Sequence, residues 1–430
     1  MAGQHPFHFR DYRYYWIARF CTVLAQMAMV VVIGWQVYDI ARRTMSPTDA
    51  ALQLGYVGLI QFAPLLLLTL IVGWTADRVD RRWVARAATL LEFACAVSLA
   101  VLAWRDDTTL FDIFVVAGLL GVARAFAGPA MQGIAPNVVP MAVLPAAIAM
   151  SSVAWQSGAV LGPALGGYLY SHGHFLPYAV SAGLFLCTLV ALMMLRPIPR
   201  REMSSLANPW QQMIEGLHYV RRNRLVLGAI SLDLFAVLLG GATAMLPIYA
   251  REPHLLGVGA EGLGQLRAAP ALGAALTAIW FAFRPLKHEV GVKMLIAVAV
   301  FGVATVVFGL SRSMPLSLAC LAVLGAADML SVYVRQSLIQ IYTPDEMRGR
   351  VGAVSTLFVS GSNELGEAES GLLAAAVGPM PAVVAGGIGA VLVTMLWARW
   401  FPELRNARSF DPPETLEYAP VPGPAQEKAS

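Results

Sequence analysis

Hydrophobic positions fill most of the chain in long uninterrupted runs, and polar positions gather in short connections between those runs. Runs of about 20 apolar residues recur twelve times, which is the length that an α-helix needs to cross about 30 Å of hydrocarbon. They lack the polar–apolar alternation of transmembrane strands, and backbone groups in lipid must be satisfied within their own segment. We therefore predict twelve helices, called segments 1 to 12, at residues 15–39, 52–73, 84–104, 110–131, 143–169, 175–195, 225–250, 262–283, 291–311, 314–338, 349–374 and 381–401.

Composition and charge indicate an integral membrane protein. The chain is 58% hydrophobic and 13% charged, with a mean hydropathy of +0.64, whereas soluble domains average about 25% charged residues. Of its 30 lysines and arginines, 21 fall in connections on one side of the segments and five on the other. Positive residues stay on the cytoplasmic side, so we predict that both termini lie in the cytoplasm. The net charge of +4 resides in these connections and gives no reason to expect nucleic-acid binding.

The longest connection divides the segments into two sets of six. It begins with a Pro/Arg run and closes with an amphipathic stretch that ends in arginines, as interfacial helices do. The tail is polar and rich in proline, a composition typical of disorder. The predicted organisation is a bundle at 1–195, a cytoplasmic linker with an amphipathic helix at 196–224, a bundle at 225–402 and a disordered tail at 403–430.

The two sets of segments resemble each other in sequence. At a shift of 204 residues, "GVARAFAGPAMQGIAPNVVP" lies on "GAADMLSVYVRQSLIQIYTP", which places Arg124 opposite Asp328. At a shift of 206, "GLIQFAP" (58–64) lies on "GQLRAAP" (264–270). The matches are short, but together they indicate a duplicated six-helix unit. Such halves enclose a substrate site near the midplane of the membrane.

Three motifs follow the order of the segments: "GWTADRVDRR" (73–82), "RAFAG" (124–128) and "GAVLGPALGG" (158–167). They resemble the G-x-x-x-D-R-x-x-R-R/K, R-x-x-x-G and G-x-x-x-G-P-x-x-G-G motifs of the major facilitator superfamily, the third being typical of its exporters. Asp80 stands where the first motif usually has glycine. "FRDYRYYWIARF", "TPDEMRGRVGAVS" and "SNELGE" further resemble the subfamily that includes the bacterial enterobactin exporter. The resemblance covers nearly the whole chain and implies an all-α membrane protein of twelve helices in two pseudo-symmetric bundles.

The resemblance assigns the first motif to a cytoplasmic gate. In the family this aspartate faces the N-terminal end of helix 11, where unpaired N–H groups and the helix dipole favour an anion. The alternative is a basic loop that only sets the topology. The predicted gate residues are Gly73, Asp77, Arg78, Arg81, Arg82 and Arg350.

The third motif places small residues four apart on one helix face, where a neighbouring helix can approach closely. Its proline removes a backbone hydrogen bond and bends the helix. The resemblance implies that segment 5 packs against segment 8 and forms a hinge and seal, with plain packing as the alternative. The predicted hinge residues are Gly158, Gly162, Pro163, Gly166 and Gly167.

Several ionisable residues lie inside the apolar segments. Each costs about 2.5–3.5 kcal/mol at the bilayer centre, so we expect it to face a cavity or a partner. In the family, segments 1, 4, 7 and 10 line the central cavity, which favours residues on them over Glu92 in segment 3. Arg124 paired with Asp328 or Asp233 would tune a carboxylate that carries a proton; a static pair that joins the halves is the alternative.

The stretch "GSNELGEAES" (361–370) puts glutamates into segment 11. Glu364 and Glu367 are three residues apart and share a helix face, and Glu367 takes the place of Pro163 in the repeat. We predict a proton carrier or a cation contact there, or else polar contacts between helices. The candidates for proton coupling are Arg124, Asp233, Asp328, Glu364 and Glu367, and those for substrate contact are Gln26, Gln36, Arg124, Asp328, Tyr333, Arg335 and Asn363.

The function predicted from the resemblance is secondary active efflux. It implies proton antiport of an amphiphilic small molecule, siderophore-like or drug-like, by alternating access. No motif of ATP hydrolysis or enzyme catalysis is present, so we predict no enzyme, no cofactor and no metal. The expected partners are substrate, protons and lipid, and the expected state is a monomer. A secondary importer and a non-transporting sensor are the alternatives.

Overall fold

The computed structural model describes residues 5–140, 143–197, 209–284, 286 and 288–410. Some side chains inside these ranges fall outside the description, among them those of Gly73, Asp77, Arg78 and Glu364. The described chain is helical. Its α-helices are α1 (Arg10–Ala41), α2 (Pro47–Arg78), α3 (Arg81–Trp104), α4 (Leu110–Ile134), α5 (Leu144–His172), α6 (Leu176–Met193), α7 (Pro209–Arg222), α8 (Arg224–Leu239), α9 (Leu246–Arg251), α10 (Gly259–Phe283), α11 (Val290–Leu310), α12 (Met314–Tyr342), α13 (Asp345–Val377), α14 (Pro379–Trp400) and α15 (Pro402–Arg405).

Each predicted segment is helical over most of its length, and in the described residues nine spans are long and apolar enough to cross a membrane. The three predicted segments outside that set correspond to α5, α10 and α13. The structure confirms a multi-pass, all-α membrane protein, and the count of twelve crossings stays a prediction.

The same helix pairings occur in both halves of the chain, as the repeat predicts. In the first half α1 packs on α5, α2 on α4 and α3 on α6. In the second half α8 packs on α13, α10 on α12 and α11 on α14. Between the halves, α5 packs along α10 and α2 along α13. The contact that the motif resemblance implied between segments 5 and 8 is therefore present.

Small residues allow these close approaches, and most of the glycine face of α5 packs against α1. A β-carbon added to Gly162 would come within 2.6 Å of the Met27 Cβ, and one added to Gly158 or Gly166 would also meet α1. The contact with α10 is made one residue further round, where Gly167 meets Gly264. The i, i+4 glycines thus join α5 to α1 of its own half, and the predicted contact with segment 8 is made through Gly167.

Segment 7 is interrupted, which the sequence analysis did not anticipate. The helix α8 ends at Leu239, and Gly240 and Gly241 lead into a 3₁₀ turn at Ala242–Met245 before α9. A side chain at Gly241 would overlap the backbone of Gly366 on α13. The break therefore lets α13 pack closely. It also ends α8 inside the protein, where no following helical turn can pair with its last carbonyl groups.

The chain between and after the halves is partly ordered. The linker contains α7, which packs on α13 through Tyr219 and neighbouring apolar residues. After α14, the short helix α15 buries Leu404 completely, and Ala407 is also buried. The prediction of a disordered tail is wrong for residues 403–410, because these apolar side chains find a surface on α8 and α11. Residues 411–430 lie outside the described part.

Candidate functional site

Polar side chains meet near the middle of the first half, at the midpoints of α1 to α4. Gln26 on α1 donates to Oε1 of Glu92 on α3, and Glu92 is fully buried. Its Oε2 has no hydrogen-bond partner among the described residues. Arg124 on α4 donates to Gln61 on α2 at 2.9 Å. Because no described carboxylate lies in ion-pair contact with Arg124, its charge is compensated only from a distance.

The second half contains a buried ion pair. Arg335 on α12 bonds to Oδ2 of Asp233 on α8, and the two side chains are 2% and 5% exposed. The predicted ion pair from Arg124 to Asp233 or Asp328 is therefore wrong in this conformation. Arg335 lies on the helix next to α8, within the same half, so it reaches Asp233 first. Removing one member of such a buried pair would leave an uncompensated charge.

Asp328 lies two turns before Arg335 on α12 and lines a small cavity. Asp328, Ser331 and Arg335 are spaced by three and four residues on α12, so they share a face. The cavity lies between α8, α11 and α12, and Asp233, Phe301 and Ser331 also line it. Asp328 is partly exposed and also lines this space. Its position was predicted, but the cavity was not.

A third charged contact joins α10 to α13. Arg267 lies 3.8 Å from Oε1 of Glu367, with both side chains largely covered. Arg267 was not among the predicted site residues, yet the repeat contained the signal, because it places Arg267 at the position of Gln61. Asn363 is exposed on the same helix as Glu367. The side chain of Glu364 lies outside the described residues.

Two of the residues predicted to contact substrate take part in packing. Gln36 is 6% exposed and accepts a hydrogen bond from the Tyr178 hydroxyl, which joins α1 to α6. Its contact with substrate stays a prediction, and in this conformation the side chain is engaged by Tyr178. Tyr333 stacks on Phe281 at 4.9 Å and meets Phe410 edge-on at 5.9 Å. Aromatic packing thus occupies both sides of this ring.

The residues of the predicted inner gate are only partly described. Gly73, Asp77 and Arg78 lie outside the described side chains. Arg81 donates to the carbonyl of Gly133, and Arg82 pairs with Asp80 at 2.7 Å. Burial raises the pKa of Asp80, but hydrogen bonds from Arg82 outweigh it and hold the pKa below the usual range. Both arginines are thus engaged within the first half.

Arg350, the predicted gate residue on α13, has a partner that the sequence did not indicate. It bonds to Glu215 of the linker helix α7. The two helices touch closely there, since a β-carbon on Gly216 would lie 2.7 Å from the Arg350 carbonyl oxygen. The linker is therefore fastened to the start of α13 in this conformation.

The end of the protein that carries the α1–α2 connection, predicted to be the outer one, holds a cluster that sequence reasoning missed. Arg42 and Tyr38 both bond to Oε1 of Glu252, at 2.9 and 3.0 Å. Beside them, Arg251 bonds to Asp39 at 2.9 Å. These five residues, which we call the outer clasp, join the end of α1 to the end of α9.

The outer clasp connects the two halves through direct hydrogen bonds between the end of α1 and the end of α9. Burial raises the pKa of Glu252, but the hydrogen bonds from Arg42 and Tyr38 outweigh it and lower the pKa below its usual range. The carboxylate therefore stays ionised at neutral pH. The sequence did contain a signal, because the connections after segments 1 and 7 each carry charges of both signs. The sequence analysis used their arginines only to predict the orientation in the membrane.

Close backbone packing accompanies the clasp. A β-carbon on Gly371 of α13 would come within 2.6 Å of Gly55 Cα on α2. Gly167 and Gly264 make the corresponding contact between α5 and α10. All of these positions lie toward the end that holds the clasp. The two halves are thus closed against each other at the predicted outer end.

The protein consists of two pseudo-symmetric helix bundles, which contact each other through ion pairs and glycine packing. Both bundles carry charged groups near the middle of their helices. These features define a membrane transporter of the major facilitator type. Solved structures share this fold. A bacterial homologue of the human lysosomal transporter Spinster, in an inward-facing and unoccupied conformation, superposes with a TM-score of 0.71 at 16% identity and covers 94% of this chain and 99% of its own. The POT family transporter PepTSo gives 0.71 at 12% identity, with the same coverage.

The chain belongs to the transmembrane secretion effector family, whose model matches residues 1–421. The enterobactin exporter EntS of Citrobacter koseri is 26% identical over 416 residues, which is 95% of this chain and 96% of that protein. EntS of Escherichia coli K12 is 26% identical over 408 residues, with 94% and 95% covered. These relatives and structural neighbours are transporters, not enzymes, and the family predicted from the motifs is confirmed.

Proposed function

We propose that this protein is a secondary active exporter that exchanges an amphiphilic small molecule, of siderophore-like or drug-like chemistry, for protons. The outer clasp is the observation that carries the proposal. It joins the halves through two ion pairs and one tyrosine hydrogen bond at one end of the molecule. Contacts of this kind can break and re-form as a unit, which alternating access requires.

In this scheme the conformation described here is closed to the outside. Substrate enters between the halves from the cytoplasm, and rocking of one half against the other breaks the clasp and releases substrate outward. The glycine contacts of α2 with α13 and of α5 with α10 act as the surfaces on which the halves rock. The gate motif that ends in Arg81 and Arg82 then closes the cytoplasmic side.

The charged groups at mid-height supply sites for substrate and protons. Arg124 has only the amide of Gln61 as a direct described partner, so it is available to an acidic or polar group of the substrate. Glu367 holds Arg267 through a single contact at 3.8 Å, so that pair is loose enough to change partner. Enterobactin is the first compound to test, because the exporters at 26% identity are named for it.

A flux experiment tests the proposal. The full chain is expressed in a bacterial strain that lacks its own exporters, and tolerance and accumulation are measured for enterobactin, a macrolide and a lipophilic cationic dye. Export predicts raised tolerance and lower accumulation of at least one compound, abolished when an uncoupler removes the proton gradient. Energy-dependent uptake would instead identify an importer. Unchanged flux of every compound would leave a non-transporting sensor.

The placement in the membrane is part of the proposal. We propose that both termini face the cytoplasm of a bacterial cell and that one copy of the chain transports. Labelling of single cysteines placed in the α1–α2 connection and in the linker, from either side of the membrane, tests the orientation. The mass of the protein in detergent tests the monomer.

A further inference from the structure

The small cavity in the second half is lined on one side by acidic oxygens. Asp233 and Asp328 both face it, and Arg335 compensates one of the two carboxylates. The remaining lining from α11 is apolar and includes Phe301. If both carboxyl groups are ionised, the site carries one uncompensated negative charge inside the helical bundle, which is costly unless a cation is present.

A second observation points to a ligand at the same place. The Oγ of Ser331 is completely buried and has no hydrogen-bond partner among the described residues. The residue is 2% exposed and lines the cavity. Serine hydroxyls inside helical bundles normally bond to a backbone carbonyl or to a partner. The Ser331 hydroxyl oxygen, which lies beside a carboxylate with no described ion-pair partner, can therefore serve as a ligand for a cation.

The interruption of segment 7 adds a third contribution. The cavity is lined by Ala236 and Val237, which lie in the last turn of α8 before the break at Gly240. The C-terminal end of a helix carries a partial negative charge. Broken helices of transporters use such carbonyl ends to hold cations.

The size of the cavity excludes the substrate. Its volume is about 10 Å³, measured as the space open to the centre of a water molecule, and a single water needs about 10–15 Å³ on that measure. The space therefore holds one water or one small ion and not an organic molecule. It also lies within the second half, between α8, α11 and α12, and not between the halves.

We propose that the coupling cation of this transporter binds in this cavity, to Asp328, Ser331 and the free carboxylate oxygen of Asp233. The ligand is one monovalent cation, either a proton shared by the carboxyl groups or a sodium ion. This inference rests on the proposed function, which supplies the exchange that the cation drives. Rotation of α8 or α12 when the clasp opens would change access to the cavity and so link the cation to substrate movement.

The charges around the site are few. Asp233 and Arg335 are the described charged groups that act electrostatically on Asp328. The neighbouring helix α10 carries Arg267, which is engaged by Glu367. Arg335 neutralises one of the two carboxylates. We therefore expect one cation to bind per protein molecule.

The direct test measures the cation on the purified full chain and needs no substrate. Infrared difference spectra between mildly alkaline and mildly acidic buffer report protonation of a buried carboxyl group, and equilibrium dialysis with radioactive sodium reports the ion. We expect one of the two signals in the wild type and its loss in Asp328→Asn. Ser331→Ala, which keeps both carboxyl groups, should weaken the binding about tenfold.

The matched control is Glu92→Gln, which removes a buried carboxylate of the other half that lies outside the cavity. Glu92 contributes a carboxyl band of its own, so this variant should lose that band and keep the carboxyl band or the sodium signal that Asp328→Asn removes. Retention of the signal in Asp328→Asn would overturn the proposal. So would absence of both proton and sodium signals in the wild type. Size-exclusion profiles show that each variant is folded, and Asp328→Glu, which keeps the carboxyl group, should restore binding if Asp328→Asn fails to fold.

Transport in vesicles separates this inference from the proposed function. In vesicles loaded with enterobactin or dye, Asp328→Asn should lose flux driven by a pH or sodium gradient by at least tenfold. Gradient-driven flux that is unchanged in Asp328→Asn overturns the cavity site alone. Cation binding without any gradient-driven flux in the wild type overturns the proposed function and leaves the cation site in place.

Discussion

The substitution Glu252→Ala should open the predicted outer end of the protein. It removes the acceptor shared by Arg42 and Tyr38. The charge-assisted bond to Arg42 contributes about 1.5 kcal/mol, the lower end of the usual range because Arg42 is 22% exposed. Tyr38 is fully buried, so its unpaired hydroxyl costs about another 1–3 kcal/mol. The closed conformation therefore loses about 3 kcal/mol.

This free energy has a direct consequence for the conformational equilibrium. Because the clasp contacts are absent when the outer end is open, the whole loss acts on the balance between the closed and open conformations. A change of 1.4 kcal/mol alters an equilibrium constant tenfold. A loss of about 3 kcal/mol therefore raises the fraction of open molecules on the order of 100-fold. Arg251 and Asp39 keep their own pair and prevent complete loss of closure.

Labelling of a buried cysteine measures the effect. Ala51 is fully buried on α2 beside Gly371, so Ala51→Cys, in a chain whose four native cysteines are alanine, reacts with a membrane-impermeant maleimide only when this end opens. The labelling rate should rise on the order of 100-fold in Glu252→Ala. The matched control is Glu261→Ala, which removes an exposed glutamate from the same end.

A labelling rate that stays within twofold of the parent would refute the reasoning, because the clasp would then carry no conformational free energy. A double-mutant cycle with Arg42→Ala isolates the pair, and the two single changes should be far from additive.

The pH dependence of the clasp follows from the lowered pKa of Glu252. A carboxyl group whose pKa is depressed in the closed form stabilises that form above its ordinary pKa, and the contribution is lost as the pH falls through the lowered value. The labelling rate, divided by that of an exposed cysteine at the same pH because maleimide reacts with the thiolate, should therefore stay low between about pH 5 and pH 8 and rise only in more acidic buffer. Acceleration between about pH 6 and pH 7 would contradict the assignment.

The remaining predictions concern packing and the linker. Gly162→Leu should destabilise the protein by about 1–3 kcal/mol, seen as a lower melting temperature in detergent, because even a β-carbon there meets α1; Gly183→Leu, whose position is open, should melt like the parent. Asp233→Ala should cost about 3–5 kcal/mol by leaving Arg335 unpaired in the core, while replacing both by leucine and methionine should be close to neutral in the same melting assay. Glu215→Ala should leave stability within about 1 kcal/mol, since the ion pair with α13 is partly exposed, but should speed hydrogen exchange in α7.

The local structure of this protein was largely determined by its sequence. In lipid a backbone can satisfy its hydrogen bonds only as helix or closed barrel, so long apolar runs predicted helices at nearly the observed positions. The repeat also placed Arg124 opposite Asp328 and Gln61 opposite Arg267, and all four carry polar or charged groups at mid-height. Duplication preserves depth in the membrane, and depth can be read from position along a helix.

Partners were decided by the tertiary structure. A helical period shows which residues share a face, but it does not show which helix that face meets. Asp233 therefore pairs with Arg335 of its own half and not with Arg124, and the glycines of α5 meet α1. The clasp between Arg42 and Glu252 joins residues 210 positions apart, and only the packing of two bundles brings them together.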